Sequence, residues 1–263
     1  RSYNSQIGVP LSVWLMNEHT QVGVFEAGIS KPGEMLALRD IIQPTIAVLT
    51  NLGEAHQENF LNKDEKCKEK LVLFHDAQTV VYNEDDEIVN KAVAELDDFK
   101  GEKLCWSLKD KHAPMYVKSV EKTDTATKVT YIYNGEECSY SLPFIDDASI
   151  TNSIICAAVA LKIGVKADRL DKRMQKLEPI AMRLEVKQGQ HGCTLINDSY
   201  NSDINSLDIA LDFMNRRPDH EGRRHTLILS DIYQSGIAAK ELYREVSELC
   251  KKRGVVKFVG IGP

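Results

Sequence analysis

Three side chains in the first third of the sequence could handle a metal ion and a phosphate group. Glu26 follows the short apolar run Val22–Phe25. His56 follows a second apolar run, Thr45–Thr50, after a short loop, and Lys68 lies near the start of a helical pattern. Magnesium prefers oxygen ligands such as a carboxylate, and an imidazole can bind a metal or carry a proton. These residue types in this order indicate a site at which a hard cation meets a phosphate.

Alternating strands and helices must position these side chains. Over residues 1 to about 100 we predict strands at 22–25, 45–50 and 79–82 and helices at 34–42 and 63–75. Strands that alternate with helices are typical of βαβ units and a parallel sheet. Because ligands collect beyond the carboxyl ends of parallel strands, Glu26 and His56 are expected at the same rim.

The rest of the chain predicts a small antiparallel β insert and then a second domain. Polar and apolar residues alternate over 116–120, 128–133 and 139–142, and Asn134-Gly135 is typical of a hairpin turn. A helix is expected from about 149 to 163. Beyond it, strands at 193–196, 226–229 and 255–260 alternate with helices at 206–214 and 238–252. We therefore predict an α/β fold with a mostly parallel sheet in a central domain, 1–180, and a partial Rossmann-like domain, 181–263.

Composition limits the classes of function. The chain has 263 residues, 43% of them hydrophobic, which suits one or two packed cores. A net charge of −6 with interleaved signs gives no basic surface for nucleic acid. No apolar run reaches the roughly 18 residues of a membrane helix, and the first residues do not resemble a signal peptide. Six cysteines without a Cys-x-x-Cys pair favour a reducing cytoplasm over a zinc site or disulfides, and Cys156 is expected in the core.

A series of stretches, in order, resembles the Mur ligases, a family that forms amide bonds in peptidoglycan precursors with ATP. The stretches are Asn4–Pro10, Phe25–Glu34 with its E-x-G-x-x-x-x-G-E pattern, Thr50–His56, Lys68–Leu71, Asn83–Asp86, Arg183 and Asn197–Asn201. The resemblance implies a P-loop-NTPase-like central domain. The chain carries no G-x-x-G-K-[ST] phosphate loop and no UDP-binding domain, so we expect a fragment that does not turn over ATP by itself.

The resemblance also implies the roles of individual residues. The implied magnesium ligands are Glu26, His56 and Lys68, and the implied catalytic residues are His56 and Lys68, the latter as a CO2-derived carbamate. The implied ATP-binding residues are Asn152, Arg183 and Asp198, and the implied substrate-binding residues are Tyr200, Asn201 and Ser206. Asp-Ser-Tyr-Asn at 198–201 is similar to the branch of the family that joins D-alanyl-D-alanine to a UDP-muramoyl tripeptide.

Some observations leave other interpretations open. Asp146-Asp147-Ala148-Ser149 replaces the family's G-x-H-N before Asn152, and this variant resembles ligases fused to an alanine racemase. Lys68 could belong to a solvated lysine-rich helix face, and Asp198 and Asn201 could cap the following helix. Two alternative functions remain at this point: a folylpolyglutamate-synthase-like ligase with another acceptor, and a Mur-like module that binds a partner without catalysis.

Overall fold

The computed structural model of the chain describes residues 3–53, 56–96, 98–178, 182–200, 202–217, 222–232, 235 and 237–262. Helices α1 to α8 are, in chain order, Gly8–Val13, Glu34–Ile42, Lys63–Leu71, Glu87–Ala94, Asp147–Lys162, Ala167–Met174, Ile204–Arg216 and Ala239–Lys252. Strands β1 to β10 are Ile46–Val48, Thr79–Asn83, Glu102–Ser107, Met115–Lys122, Thr127–Tyr133, Glu136–Leu142, Glu185–Gln188, Thr194–Asn197, His225–Ser230 and Val255–Ile261.

One six-stranded sheet, in the order β1-β2-β3-β4-β5-β6, organises residues 46–142. Strands β1 to β4 run parallel, and β4, β5 and β6 pair antiparallel. The strands predicted as an insert therefore extend the parallel sheet, since β4 pairs with β3 on one side and β5 on the other. Asn134 and Gly135 have φ angles of 52° and 79°, as a tight hairpin turn between β5 and β6 requires. The predicted α/β class with a mostly parallel sheet is confirmed.

Both faces of this sheet are covered by helices. Val81 on β2 packs into a cluster that includes α5, whereas its neighbours Val80 and Tyr82 pack into a cluster with α3 and α4. Successive strand residues point to opposite faces, so β2 is buried on both sides, as parallel strands usually are. Within the described residues, no helix is long and apolar enough to cross a membrane.

The predicted strand over Val22–Phe25 is wrong. These residues have no strand assignment, and no strand of the described residues pairs with them. Val22 is 62% exposed and Val24 is 91% exposed. Apolar residues form a strand only where a neighbouring strand takes up their backbone hydrogen bonds. Glu26 therefore follows an irregular segment and does not stand at the end of a strand.

Residues 182–262 form two small sheets and a helical cluster. Strand β8 pairs antiparallel with β7, which the sequence analysis missed, and β9 pairs parallel with β10. In the described residues the predicted series of three strands is thus split between two sheets. Helices α7 and α8 pack on the β9–β10 sheet through buried side chains such as Leu211 and Val246. The proposed boundary at residue 180 lies outside the described residues and stays a prediction.

Cys156 departs from its expected place in the core. Its thiol-bearing side chain is exposed on α5, although the flanking Ile155 and Ala157 are buried. Helix α5 is apolar over most of its length, so its composition alone does not distinguish the buried face from the exposed one.

Candidate functional site

The carboxylate of Glu26 is held by Asn4. The Asn4 amide donates to Glu26 Oε1 at 2.9 Å, and the backbone N–H of Gly28 donates to the Asn4 carbonyl at 2.9 Å. A Cβ at Gly28 would lie 3.0 Å from Asn4 side-chain and carbonyl atoms, so only glycine permits this close approach without a shift of its neighbour. Asn4 therefore orients an exposed carboxylate that is otherwise carried by an irregular segment.

The second glutamate of the E-x-G-x-x-x-x-G-E pattern closes a turn. Glu34 Oε2 accepts from the backbone N–H groups of Ser30, at 2.6 Å, and Lys31, at 3.0 Å. The Ser30 N–H bond, with help from Lys31, holds the pKa of Glu34 below its ordinary value, although partial burial opposes this shift. Gly33 precedes the helix with a φ of 86°, a conformation that favours glycine. Glu34 thus fixes the start of α2.

Lys68 and Lys70 lie on different sides of α3. Lys68 is exposed, and its Nζ lies 3.1 Å from Glu95 Oε2. Lys70 is half-buried, and burial lowers the pKa of its ammonium, while Cys67 and Glu26 act in the opposite direction. Glu26 is therefore close enough to Lys70 to act on it electrostatically. Lys70 thus lies within the electrostatic influence of Glu26, whereas Lys68 pairs with a residue outside the predicted site.

Lys70 was not among the residues predicted for the site, although the sequence contains a signal for it. Cys67, Leu71 and Phe74 are buried at helical spacing, and Lys70 falls on the same face. Lys68 lies outside that face. Helical periodicity could therefore have separated the two lysines before their surroundings were known.

His56 occupies a strained position in the loop after β1. Its φ is 60°, in the left-handed region, and it is half-buried at the start of the short 3₁₀ turn Gln57–Asn59. The carbonyl of Gly53 in the same loop accepts a hydrogen bond from Lys66 on α3. Non-glycine residues in this region of φ are uncommon and are enriched at functional sites. Helix α3 thus contacts the loop that leads to His56 as well as facing Glu26.

A second group of the predicted site residues lies at the open end of the β7–β8 hairpin. The guanidinium of Arg183 lies over the Tyr200 ring, with Cζ 4.4 Å from the ring centroid. The N–H of Tyr200 donates to the Met182 carbonyl at 3.1 Å, and the N–H of Leu184 donates to Asp198 Oδ1 at 3.1 Å. Because β7 and β8 run antiparallel, the segment before β7 and the segment after β8 lie side by side. The structure therefore brings Arg183, Asp198 and Tyr200 together.

Asp198 links this group to the central part of the chain. Burial raises its pKa above the ordinary value, the Leu184 N–H and Arg183 oppose this, and Asp203 and Asp146 add to it. Asp146 caps α5 by accepting from the Ser149 N–H at 2.7 Å, so part of the negative charge that acts on Asp198 comes from the start of that helix. Asn152 lies further along the same helix and is exposed.

Asp203 caps helix α7, and Ser206 in the first turn of that helix is hydrogen-bonded to it. The Ser206 N–H donates to Asp203 Oδ1 at 2.9 Å, and its hydroxyl donates to Asp203 Oδ2. Asp203 therefore has the capping role that the sequence left open for Asp198 and Asn201. Asn201 lies outside the described residues, and Tyr200 is 59% exposed.

Comparisons with known proteins identify the family. Residues 1–160 match the family described as the Mur ligase middle domain. The chain belongs to this family. It is 24% identical over 247 residues to the UDP-N-acetylmuramoyl-tripeptide–D-alanyl-D-alanine ligase of Bacillus subtilis, a match that covers 93% of the chain and 52% of that protein.

Solved structures extend the likeness in fold over almost the whole chain. MurF from Acinetobacter baumannii superposes with a TM-score of 0.81 and 19% identity, covering 98% of this chain and 55% of that one. MurF ligase from Thermotoga maritima in complex with ADP gives a TM-score of 0.76 and 18% identity, covering 97% and 61%. The chain spans about half the length of the relatives it matches.

Proposed function

We propose that this chain forms the central and C-terminal part of an ATP-dependent ligase of peptidoglycan synthesis, which joins D-alanyl-D-alanine to a UDP-muramoyl tripeptide. The observation that carries the proposal is the match to the Bacillus subtilis ligase over 93% of the chain. That match spans both the region of Glu26 and Lys70 and the region of Arg183 and Tyr200. The activity is proposed for the full-length protein that carries this chain.

The proposed reaction has two chemical steps. A carboxylate of the tripeptide attacks the γ-phosphate of ATP, which releases ADP and leaves an acyl phosphate. The amine of D-alanyl-D-alanine then attacks the acyl carbon, an amide bond forms, and phosphate leaves. Both steps gather negative charge, so the site needs positive charge placed in advance.

The residues around Glu26 fit a magnesium ion if one lysine is modified. Within the described residues, no three His, Cys, Asp or Glu side chains are placed to hold a metal. A lysine ammonium would repel a cation, whereas a neutral amine can take up CO2 and become a carbamate with two oxygens. Magnesium bound there would neutralise the phosphate oxygens. Glu26, His56 and the carbamate would be its ligands.

We assign the carbamate to Lys70 in preference to Lys68. Lys70 is half-buried and within the electrostatic reach of Glu26, while Lys68 is exposed and paired with Glu95. Carbamate formation needs an unprotonated amine, and burial lowers the pKa of Lys70 in the direction that favours it. This assignment replaces the role that the resemblance implied for Lys68.

The nucleotide and the acceptor are assigned to the Arg183–Tyr200 region and α5. The Arg183 guanidinium supplies positive charge for phosphate oxygens, Asn152 offers an exposed amide to the base, and Asp198 can accept a hydrogen bond from the nucleotide. We keep Tyr200, Asn201 and Ser206 as the proposed contacts of the dipeptide. The Ser206 hydroxyl donates to Asp203, and its oxygen can still accept.

Phosphate release by the full-length protein tests this proposal. ATP, magnesium and a UDP-muramoyl tripeptide are supplied with and without D-alanyl-D-alanine. We expect release that depends on the dipeptide. Release that depends instead on glutamate and a folate would favour the folylpolyglutamate-synthase-like alternative. A folded protein with no release under either condition would favour the binding module.

A further inference from the structure

Helix α3, which carries Lys70, makes hydrogen bonds to two other chain segments through side chains to which the proposed mechanism gives no role. The Lys66 ammonium donates to the Gly53 carbonyl, in the loop that leads to His56. The Glu69 carboxylate accepts from the Met35 N–H at 3.0 Å, at the start of α2. Each bond joins α3 to one of the two segments that carry the proposed magnesium ligands.

The Lys66 ammonium is buried, which costs free energy unless hydrogen-bond acceptors replace its water. Lys66 is only 3% exposed. One of these acceptors is the carbonyl of Gly53, a residue whose own N–H donates to Asn51 Oδ1 at 3.0 Å. The loop is thus held through both the N–H and the carbonyl of Gly53, three residues before His56.

The Glu69 bond holds the other segment. Met35 is the second residue of α2, where backbone N–H groups lack helical partners and a negative charge is favoured. The segment from Glu26 to α2 is held at its beginning by Asn4 and at its end by Glu69. Lys70 follows Glu69 directly in α3. The helical turn that holds this segment therefore also carries the lysine on which Glu26 acts electrostatically.

We infer that Lys66 and Glu69 are positioning residues of the cation site, which hold the His56 loop and the Glu26 segment at fixed places around Lys70. This inference rests on the proposed function, because it assigns the cation to that site. Neither side chain is itself a ligand. Residues of this kind, which orient ligands through hydrogen bonds, typically change metal affinity about 10- to 100-fold when they are replaced.

The test combines Mn²⁺ binding, as a probe for magnesium, with hydrogen–deuterium exchange in the full-length protein. Lys66→Met keeps the length of the side chain and removes its charge. We expect about 10- to 100-fold weaker Mn²⁺ binding and faster exchange confined to peptides that cover the His56 loop. Lys172→Met, which removes an exposed lysine charge on α6, is the matched control and should change neither quantity.

A second variant distinguishes a local effect on the cation site from a general loss of structure. Glu69→Leu should weaken Mn²⁺ binding as well, but its faster exchange should fall between Glu26 and the first turn of α2. If both variants bind Mn²⁺ as the wild type does, or if exchange rises uniformly in both, the positioning role is overturned. A wild-type protein that binds no Mn²⁺ would overturn the cation site and count against the proposed function as well.

Discussion

The guanidinium of Arg183 stacks on the ring of Tyr200, with 4.4 Å between Cζ and the ring centroid. Arg183 precedes β7 and Tyr200 follows β8, so both lie at the open end of the hairpin, where the Tyr200 N–H bond to the Met182 carbonyl holds the two segments together. A cation over an aromatic face is attracted to it, so the ring limits where the guanidinium can point. Tyr200 should therefore help to position Arg183 for the nucleotide.

This pairing predicts unequal but coupled effects on ADP affinity. Tyr200→Leu should weaken binding about two- to fivefold, since an exposed cation–π contact contributes about 0.5 to 1 kcal/mol. Arg183→Met should weaken it more, because the positive charge itself is lost. The double variant should be no weaker than Arg183→Met alone. Calorimetric titration of the full-length protein measures this, with Arg244→Met on α8 as the control. Additive losses would contradict the coupling.

The assignment of Lys70 predicts a clear difference between two neighbouring lysines. Lys70→Ala should lower ligase activity at least about 100-fold, as does the loss of other groups that stabilise developing charge. Short carboxylic acids should restore part of it by replacing the carbamate. Lys68→Ala removes only an exposed ion pair with Glu95 and should change activity by less than about threefold. The reverse order of effects would return the role to Lys68.

The pKa of Lys70 predicts how dissolved CO2 should act across pH. Only the neutral amine reacts with CO2, and its fraction rises with pH. Because burial lowers the pKa of Lys70, this rise should begin at a lower pH than for a free lysine. Activity of a protein depleted of CO2 should therefore recover faster as pH increases, when the concentration of dissolved CO2 is held constant. Recovery that slows as pH rises would contradict the prediction.

The turn closed by Glu34 predicts a loss of stability in acid. The folded-state pKa of Glu34 is lowered from 4.5, so its contribution is present above that value and is lost as pH falls through the folded-state pKa. Glu34→Gln should reduce the free energy of unfolding by about 1 kcal/mol near pH 7, after allowing for solvent screening. The difference should vanish in acid. Urea unfolding at several pH values checks this, with exposed Glu136→Gln as the control.

The sequence predicted helices more reliably than strands. The bounds of α2 and the start of α3 agree with the prediction, because their caps and periodicity are local. Strand β7 was missed and Val22–Phe25 was wrongly made a strand. Whether a short run becomes a strand depends on a partner elsewhere in the chain, which local pattern does not reveal. The order of the motifs predicted the family without any knowledge of strand pairing, and the family match over residues 1–160 confirms it.

For the candidate site, the sequence pointed to the chain segments that form it but did not always select the right side chain within a segment. Placing Lys68 in the site overlooked the direction in which each lysine leaves the helix, and the two lysines two positions apart do not share a face. Asn4 was recognised only as part of a motif, because its bond to Glu26 depends on how two distant segments meet. Arg183 and Tyr200 were both named, but their stacking follows from the β7–β8 hairpin.

The cap of α7 predicts how Ser206 and Asp203 will differ. Asp203→Ala removes acceptors for both the N–H and the hydroxyl of Ser206 and should lower the free energy of unfolding by about 1 kcal/mol. Ser206→Ala leaves the N–H bond to Asp203 in place and should cost less. If Ser206 also contacts the dipeptide, its replacement should raise the KM for D-alanyl-D-alanine while kcat and the KM for ATP stay constant.

The two roles of Ser206 can therefore be separated in one comparison of unfolding and kinetics. Asp203→Ala serves as the matched control, because it disturbs the same helix end without removing the Ser206 hydroxyl. A raised dipeptide KM in Ser206→Ala alone would support direct contact with the acceptor. An equal rise in both variants would mean that the position of α7 matters and the hydroxyl does not, so that Ser206 acts only as part of the cap.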